Sequence, residues 1–309
     1  MKPKITTIGN VTIDDIVIYD SREMFLESIG GDALFSAIGA KIWGALPTMV
    51  ARIGKSFPKG FALQVHQAGI ETSFVEMGYH DIRNWALYEP GGARQFINHL
   101  TSGTHYQMSI TADQLPADRL KADGIHVAPM PTNVQYAIIQ RIDQEKNPHA
   151  IISWDPQENY LKQPDFNKMA YEMFEIVALF LPSREEIKMM CGGEDLMATI
   201  KNLPSKGPKA IAVKMSTEGA LVYDRESKRF YHVPIYPSQT VDPTGAGDSF
   251  CGGFLTAFIQ SGNAIEAACH GTVAASYVVE CIGALNTMRS DFSGIEKRLE
   301  YVKKNIVRL

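Results

Sequence analysis

The sequence predicts one α/β domain over residues 1–309, with a mostly parallel central sheet and a small β-sheet added to it. Short runs of β-branched residues alternate with longer amphipathic stretches, which is typical of parallel α/β folds. This alternation breaks between residues 73 and 105, where three short strands follow one another without a helix. With 309 residues, 45% of them hydrophobic, the chain can bury a large core without metals or disulfides.

The alternation is clear on both sides of that break. Before it we expect strands at Ile5–Ile8, Ile16–Tyr19 and Thr48–Ile53, and helices at Gly31–Gly44 and Phe61–Ala68. After it we expect strands at Gly124–Val127, Ile151–Trp154, Ile176–Leu181, Ala210–Lys214, Ala220–Tyr223 and Arg229–Val233. The helices expected there are Asn133–Gln144, Pro164–Met173, one from about Ser183, Gly247–Gln260 and Ala264–Cys281. The first helix illustrates the reasoning, because Leu34, Ile38 and Ile42 recur at helical spacing.

The small sheet is predicted from two regions of the chain, residues 11–20 and 73–105. Its later strands are Ser73–Met77, Trp85–Tyr88 and Arg94–Ile97, and Pro90-Gly91-Gly92 supplies a turn between the last two. We interpret these strands as an antiparallel lid that projects from the main body.

The charge and cysteine content exclude several classes of protein. The net charge is −4 at pH 7, so we expect neither nucleic acid nor an anionic membrane as a partner. The four cysteines lie far apart without a C-x-x-C pair, which favours a reducing compartment. The N-terminus lacks the apolar segment of a signal peptide, and no apolar run reaches the roughly 18 residues of a membrane helix. We therefore expect a cytoplasmic protein.

The strongest chemical signal is the segment Val241–Asp248, which reads VDPTGAGD. Gly245, Ala246 and Gly247 open a stretch whose apolar residues fall on one helical face. Backbone N–H groups at a helix N-terminus have no partner within the helix, and the helix dipole adds partial positive charge there. Such a turn binds anions, and only small residues let a phosphoryl group approach the backbone closely.

Asp248 has two interpretations on these grounds. An acidic residue in the first turn of a helix often only caps backbone N–H groups. A carboxylate beside an anion-binding turn can also take the proton from an attacking hydroxyl, as phosphoryl transfer requires. The residues by themselves leave both interpretations open.

The run DPTGAGDSF, from Asp242 to Phe250, resembles the C-terminal signature of the ribokinase/PfkB family of carbohydrate kinases. The resemblance implies a ribokinase-like three-layer sandwich that uses ATP and Mg²⁺. It assigns the catalytic base to Asp248 and the anion hole to Gly245, Ala246 and Gly247. The two glycines of that turn would also contact the phosphates of ATP.

The N-terminal third carries the acceptor site that the resemblance implies. The segment GNVTID is similar to the family's first strand, which ends in an aspartate that binds substrate hydroxyls. The family spacing places that role on Asp14 rather than on Asp15, although an aspartate after a strand is often only a turn residue. Gly30 and Gly31 match the family's Gly-Gly signature, where the backbone approaches the sugar.

The chain departs from the family at Phe35, where relatives usually carry an asparagine that helps to bind the sugar. Asp32 lies just before the helix and either replaces part of that hydrogen bonding or caps the helix. The departure bears on the identity of the acceptor more than on the reaction.

Two further segments resemble the family's metal and nucleotide sites. The segment SREE lies where relatives have Asn-x-x-Glu, so Glu186 either organises Mg²⁺ through water or is an ordinary first-turn residue. The segment KMSTEG resembles the nucleotide loop and assigns Lys214, Ser216 and Gly219 to ATP. Ser216 stands there in place of a glycine.

A monovalent-cation site and a dimer contact follow from the same resemblance. Asp242, Thr244 and Gly283 are the candidate neighbours of a cation such as K⁺. Relatives often form dimers through the small sheet, so we expect a homodimer through the lid. The lid residues that either face substrate or partner, or pack within the sheet, are Trp85, Tyr88 and Arg94.

Two other patterns do not hold. Gly54-Lys55-Ser56 resembles the end of a P-loop, but the glycine required five residues earlier is Met49. No G-x-G-x-x-G opens a helix after the first strand, which argues against a dinucleotide-binding dehydrogenase.

The sequence therefore predicts an ATP-dependent kinase that phosphorylates a hydroxyl of a sugar or sugar derivative. A nucleoside or vitamin-like alcohol is the alternative acceptor, because the ring of Phe35 could stack on a base. A non-catalytic relative that binds sugar or nucleotide is a third hypothesis, since Ser183 and Ser216 replace more usual residues.

Overall fold

The computed structural model describes residues 2–89, 94–162, 165–192, 195–204 and 206–309, except the side chains of Arg94 and Cys191. The turn predicted at Pro90-Gly91-Gly92 and Pro164, the first residue of a predicted helix, lie outside these ranges. Among the described residues, no helix has both the length and the apolar character needed to cross a bilayer.

Ten strands form the large sheet, in the order β14-β13-β12-β11-β10-β9-β8-β1-β4-β5. In chain order, these strands are β1 (Lys4–Ile8), β4 (Leu46–Ile53), β5 (Glu71–Glu76), β8 (Gly124–Val127), β9 (Ile151–Trp154), β10 (Leu179–Phe180), β11 (Ala210–Lys214), β12 (Ala220–Asp224), β13 (Arg229–Val233) and β14 (Val307–Arg308). The seven neighbouring strands that run across the sheet from β11 to β5 pair in parallel. Strands β12, β13 and β14 pair antiparallel at the other edge. The mostly parallel α/β fold predicted from the sequence is confirmed.

Helices cover both faces of this sheet. They are α1 (Asp32–Ile42), α2 (Phe61–Gln67), α3 (His105–Met108), α4 (Thr132–Glu145), α5 (Phe166–Ile176), α6 (Arg184–Cys191), α7 (Leu196–Lys201), α8 (Ala246–Ser261), α9 (Ala264–Val278), α10 (Ala284–Thr287) and α11 (Ile295–Lys304). Alternate residues of β11 face opposite layers, since successive strand side chains point to opposite sides. Ile211 and Val213 join the core under α4 and α5, whereas Ala210 and Ala212 face α8 and α9.

Four strands form the small sheet, in the order β3-β2-β6-β7. They are β2 (Thr12–Ile18), β3 (Glu23–Gly30), β6 (Ile82–Tyr88) and β7 (Arg94–Asn98). The expected wholly antiparallel pairing is wrong, because the two central strands β2 and β6 run parallel. The chain leaves the small sheet after β3 and returns only after β5, and such a long connection permits a parallel pair.

The placement of the strand predicted at Ser73–Met77 is also wrong. It is β5, and it pairs with β4 at the edge of the large sheet, with Thr48 opposite Glu71. Helix α2 connects the two strands, so they form a β-α-β unit, whose parallel strands need such a crossover. The small sheet instead gains β3, a strand that the sequence did not predict.

Several boundaries differ from expectation at the ends of elements. Helix α5 continues to Ile176, so β10 is shorter than the predicted Ile176–Leu181. Helix α9 ends at Val278 rather than Cys281. The short helices α3, α7 and α10, helix α11 and strand β14 were not predicted.

Candidate active site

The anion-binding turn lies at the N-terminus of α8. Gly245 has a φ of 77°, which favours glycine, and a Cβ atom there would lie 2.2 Å from the ring of Phe35. The Gly245 carbonyl accepts from Ser249 N at 2.9 Å and so starts the helix. Because the first N–H groups of a helix have no acceptor within it, this turn can bind an oxyanion.

Asp248 projects from the first turn of α8 into a pocket of about 260 Å³. The pocket is lined by Thr12, Asp14, Gly31, Asp32, Phe35, Asn84, Phe96, Pro129, Thr244 and Asp248. Burial raises the pKa of Asp248, and the charge of Lys214 opposes that rise. The carboxylate therefore lies where a small polar acceptor can meet it.

Asp32 is held at the same pocket by the loop after β1. Its Oδ1 accepts a hydrogen bond from the backbone N of Asn10 at 2.6 Å. Burial, followed by the negative charge of Asp248, raises the pKa of Asp32 well above its usual range. The negative charge of Asp248 thus favours the protonated form of Asp32. No side-chain hydrogen bond caps α1, whose N-cap residue is Gly31.

Asp14 reaches the pocket from the small sheet. In β2 it lies opposite Asn84 of β6, whose Nδ2 donates to Asp14 Oδ1 at 2.8 Å. The hydroxyl of Thr12 donates to the other oxygen at 2.8 Å. Burial raises the pKa of Asp14, and these two hydrogen bonds lower it. Gly30 lies beside this group, since a Cβ there would meet Asp14 and Phe35 at 3.2–3.3 Å.

Asp15 lies on the opposite face of the small sheet, as the alternation of strand side chains requires. One of its oxygens accepts from the backbone N of Glu27 at 2.7 Å, and the other lies 3.7 Å from the guanidinium of Arg83. It is absent from the lining of the pocket, so the structure distinguishes the two neighbouring aspartates.

Phe35 packs between the two glycine-containing turns. Its side chain is only 4% exposed, and its ring lies against the backbone of Gly245. The ring therefore closes one wall of the pocket and leaves little surface for stacking on a base.

Lys214, at the end of β11, lies below the anion-binding turn. Its ammonium group donates to Asp155 and lies 3.7 Å from the Sγ of Cys251. Burial acts to lower the pKa of Lys214, but nearby anionic groups, with Asp155 first among them, outweigh burial and raise it. The ammonium therefore stays charged, and a Cβ atom at Gly247 would lie 3.7 Å from it.

The partners of Lys214 were missed by sequence reasoning. Asp155 directly follows β9, His126 belongs to β8, and Cys251 belongs to α8, so the three residues lie far apart in the chain. Their ligand atoms lie within 4.8 Å of one another, and Lys214 contacts two of the three. Burial lowers the pKa of His126 to about 3, so its ring is neutral. The position of Asp155 after a strand was the one available signal, because such positions meet at the carboxyl edge of the sheet.

Glu186 lies near Lys214 and has a structural role. Ser183 caps α6, and the two residues form a capping box: Ser183 N donates to Glu186 Oε2 at 2.6 Å, and Glu186 N donates to Ser183 Oγ at 3.1 Å. Burial raises the pKa of Glu186, and Lys214 is the strongest influence in the other direction.

The nucleotide loop predicted from KMSTEG connects β11 and β12. Ser216 has a φ of 53°, the left-handed conformation that favours glycine, so the backbone here suits the glycine of the motif that KMSTEG resembles. Gly219 has a φ of 87°, and a Cβ atom there would lie 2.2 Å from the Val233 carbonyl oxygen. Glu218 binds Arg184 of α6 through two hydrogen bonds of 2.7 and 2.8 Å, which fix the loop to the main body.

The three candidate cation neighbours are held in two groups. The Oδ1 atom of Asp242 accepts from Thr244 N at 2.8 Å and also accepts from the hydroxyl of Tyr88. Gly283 lies instead against β3, since a Cβ there would lie 2.6 Å from Ser28 Oγ. Both groups contact the small sheet.

The other lid candidates have different positions. Trp85 stacks on His99 with ring centroids 4.5 Å apart and planes inclined by 15°. Arg94 pairs with Tyr88 in the register of β6 and β7, but its side chain lies outside the described part of the chain.

Comparison with known proteins finds similar kinases. Residues 2–291 match the pfkB family of carbohydrate kinases. A cytidine kinase from Thermococcus kodakarensis is 28% identical over 265 residues, covering 82% of this chain and 88% of the relative. A ribokinase from Haemophilus influenzae is 20% identical over 308 residues, covering 93% and 96%. A putative ribokinase II from E. coli, solved in complex with ATP and Mg²⁺, superimposes with a TM-score of 0.78 at 18% identity, over 97% of this chain and 100% of that one.

The family match includes the GAGD turn, the small sheet and every strand of the large sheet except β14. Members of the family are kinases that transfer phosphate to hydroxyl groups of sugars or nucleosides. The resemblance predicted from the sequence is thereby confirmed, and this chain belongs to the pfkB family of carbohydrate kinases.

Proposed function

We propose that this protein transfers the γ-phosphoryl group of ATP to a hydroxyl of a sugar or sugar derivative, with Asp248 as the general base. The observation that carries the proposal is the position of Asp248, which lies both in the first turn of α8 and in the wall of the acceptor pocket. One carboxylate thus adjoins the N–H groups that receive the phosphoryl oxygens and the space that receives the hydroxyl.

The acceptor is held in this proposal by the carboxyl groups of Asp14 and Asp32 and by the backbone of Gly30 and Gly31. Carboxylates accept hydrogen bonds from sugar hydroxyls, and the amide of Asn84 orients Asp14 for that purpose. Phe35 supplies an apolar wall. The side chain of Arg94 is a further proposed contact, on the register that places it opposite Tyr88.

The phosphates of ATP are proposed to lie along Gly245, Ala246, Gly247 and the nucleotide loop. Lys214 supports this placement, because its charged group lies directly below the turn. Ser216 and Gly219 would shape the loop on the side of the ribose.

The acidic groups around Lys214 fit a magnesium ion held largely by phosphates and water. Asp155 Oδ1 is buried without a hydrogen-bond partner among the described residues, so this region has acceptor capacity to spare. Glu186 uses Oε2 for its capping box and can hold a metal-bound water through Oε1. When bound, Mg²⁺ neutralises the charge that develops on the phosphoryl oxygens.

A nucleoside is the second candidate acceptor, and the similarity to a cytidine kinase over 82% of this chain favours it. The pocket of about 260 Å³ favours a monosaccharide instead, because its volume is below the ~300–1,000 Å³ usual for ligand pockets and a monosaccharide is smaller than a nucleoside. The burial of Phe35 also removes the stacking surface that a base would need.

An assay of ADP release tests the proposed reaction. Purified protein with ATP and Mg²⁺ is supplied with D-ribose, 2-deoxy-D-ribose, D-fructose, cytidine or adenosine, and the phosphorylated product is identified by mass spectrometry. We expect acceptor-dependent ADP release, highest for a free sugar. Highest turnover with a nucleoside would select the second candidate. No turnover with any acceptor would favour a non-catalytic relative.

Asp248→Asn tests the assigned base, because it removes the proton acceptor but keeps the size of the side chain. We expect kcat to fall by ~10²–10⁴, the usual contribution of a positioned general base. Binding of ATP, measured by calorimetry, should stay near that of the wild type. Turnover like that of the wild type would refute the assignment.

We also propose that a monovalent cation binds beside Asp242, Thr244 and Gly283. The support is that the backbone N–H groups of Val241 and Asp242 both donate to the Val279 carbonyl, which brings this segment to the carbonyl-rich end of α9. Replacement of K⁺ by tetramethylammonium in the assay should lower turnover. Equal rates in both salts would refute this site.

A homodimer through the small sheet is the proposed assembly. This sheet carries several apolar side chains at its surface, namely Met24, Leu26, Trp85 and Ile97. Contiguous apolar groups at a surface favour protein contact. Sedimentation should give a dimer, and Leu26→Glu should shift it toward monomer; a monomeric wild type would refute the proposal.

A further inference from the structure

The small sheet is connected to the main body at one end. Strand β2 starts four residues after β1 ends, and β3 ends at Gly30, two residues before α1 begins. In the register of the sheet, Thr12 lies opposite both Gly30 and Ile82. The chain connections of β2, β3 and β6 to the body therefore converge at this end, which is where a rotation of the sheet would be centred.

Tyr88 lies at the other end of the same sheet. It is the last residue of β6, and a strand of seven residues spans ~20 Å. Its hydroxyl donates to Asp242 Oδ1 and lies 3.0 Å from Thr244 Oγ1. The far end of the sheet thus contacts the segment that forms the anion-binding turn.

Asp242 Oδ1 contacts both the small sheet and the anion-binding segment. The Oδ1 atom that accepts from Tyr88 also accepts from the backbone N of Thr244 at 2.8 Å, and this second bond shapes the chain just before Gly245. Asp242 is itself buried. A buried carboxylate is costly to leave without its donors, so the hydroxyl of Tyr88 stabilises the turn as well as the sheet.

We propose that Tyr88 is a positioning residue whose hydroxyl ties the far end of the small sheet to Asp242, and thereby couples closure of the sheet over the acceptor to the geometry of the anion-binding turn. The proposal rests on the proposed function of the pocket. Movement of the sheet away from α8 breaks the Tyr88–Asp242 bond, and return of the sheet restores it. The turn is then fully supported only when the acceptor is covered.

The first test measures the tie itself and needs no ligand. Hydrogen exchange followed by mass spectrometry is compared for wild type, Tyr88→Phe and the control Tyr171→Phe, which removes a hydroxyl that lies on the exposed surface of α5. Because hydrogen bonds to charged groups are stronger than neutral ones, we expect about tenfold faster exchange in residues 12–30 and 82–88 of Tyr88→Phe. Exchange in residues 124–154 and in the control should match the wild type.

The second test measures the coupling, with the acceptor of highest turnover in the panel above. Tyr88→Phe should lower kcat/KM for that acceptor by about tenfold and leave the KM for ATP unchanged. Tyr88→Phe should also release more ADP without acceptor, measured relative to its rate of product formation with acceptor, because the site excludes water less well. Tyr171→Phe should behave as wild type in both measurements.

Unchanged exchange of the small sheet in Tyr88→Phe would overturn the proposed tie. Faster exchange with unchanged kcat/KM and unchanged ADP release would overturn the coupling. These outcomes are distinct from failure of the proposed function, which would appear as a wild-type protein without acceptor-dependent turnover and would leave the exchange comparison to decide on the tie.

Discussion

At the proposed phosphoryl-transfer end of the pocket, Asp248 and the anion-binding turn come from one continuous segment at the start of α8, a helix packed on the large sheet. At the acceptor end, Asp14, Asn84 and Asp32 come from two strands of the small sheet and from α1. The first end depends on backbone groups fixed by local chain geometry. The second end depends on side chains that the tertiary structure brings together.

This difference has a consequence for enzyme kinetics. In the proposed reaction, groups at the phosphoryl-transfer end act on charge that develops in the transition state, so their loss should lower kcat. Groups at the acceptor end are proposed to contact the substrate before and during the reaction, so their loss should raise KM. The following substitutions test whether the two ends separate in this way.

Lys214→Met should have the largest effect of the three. Loss of the ammonium below the turn should lower kcat by ~10²–10³, the range seen when one charge-stabilising group is removed. The charge of Lys214 lowers the pKa of Asp248, whose ionised form is the proposed base, so activity should be present above that pKa and lost below it. The acidic limb of the rate profile should therefore move to higher pH in Lys214→Met.

Lys214→Arg is the matched control, because it keeps the positive charge and should recover part of the rate. A thermal unfolding scan excludes loss of the fold as the cause. An effect of Lys214→Met on acceptor KM alone, with kcat unchanged, would contradict the separation of the two ends.

Asp14→Asn should have the next largest effect, and the constant that changes should be kcat/KM for the acceptor. It replaces a carboxylate that accepts from Asn84 and Thr12, and we expect kcat/KM for the acceptor to fall by ~10–100-fold, mainly through KM. Steady-state rates at varied acceptor and saturating ATP give this value.

Asp15→Asn provides the comparison within the same strand, since Asp15 faces away from the pocket. Its kinetic constants should remain close to those of the wild type. Equal losses from the two substitutions would mean that both act through the stability of the small sheet rather than through acceptor contact.

Ser216→Gly should have the smallest effect, and it should change the free energy of unfolding rather than kcat. Ser216 has a φ of 53°, and a left-handed conformation costs an L-residue ~1–2 kcal/mol, part of which the greater freedom of glycine in the unfolded chain offsets. We expect a gain of about 0.5–1 kcal/mol in the free energy of unfolding, measured by denaturant titration. Thr217→Gly, at a neighbouring position without positive φ, should lose stability instead.

Sequence reasoning singled out residues at both ends of the pocket, namely Asp14, Asp32 and Phe35 as well as Asp248, but missed several of their partners. The GAGD turn could be predicted because an anion-binding helix N-terminus is formed by consecutive residues. The need for glycine near Ser216 was also visible as a departure from a motif, although only the positive φ explains it. The Lys214–Asp155 pair was not predicted, because its members end different strands and their contact depends on the order of the strands in the sheet.

By itself, the sequence determined the parallel α/β fold, the segment that carries Asp248 and the family of the chain, since each of these is encoded in local pattern or contiguous motif. Only the tertiary structure decided that Ser73–Met77 belongs to the large sheet, that Asn84 of β6 donates to Asp14, and that Phe35 packs against Gly245. The reason is physical: these features depend on strand pairing and side-chain packing between segments far apart in the chain, and neither leaves a periodic signal in either segment.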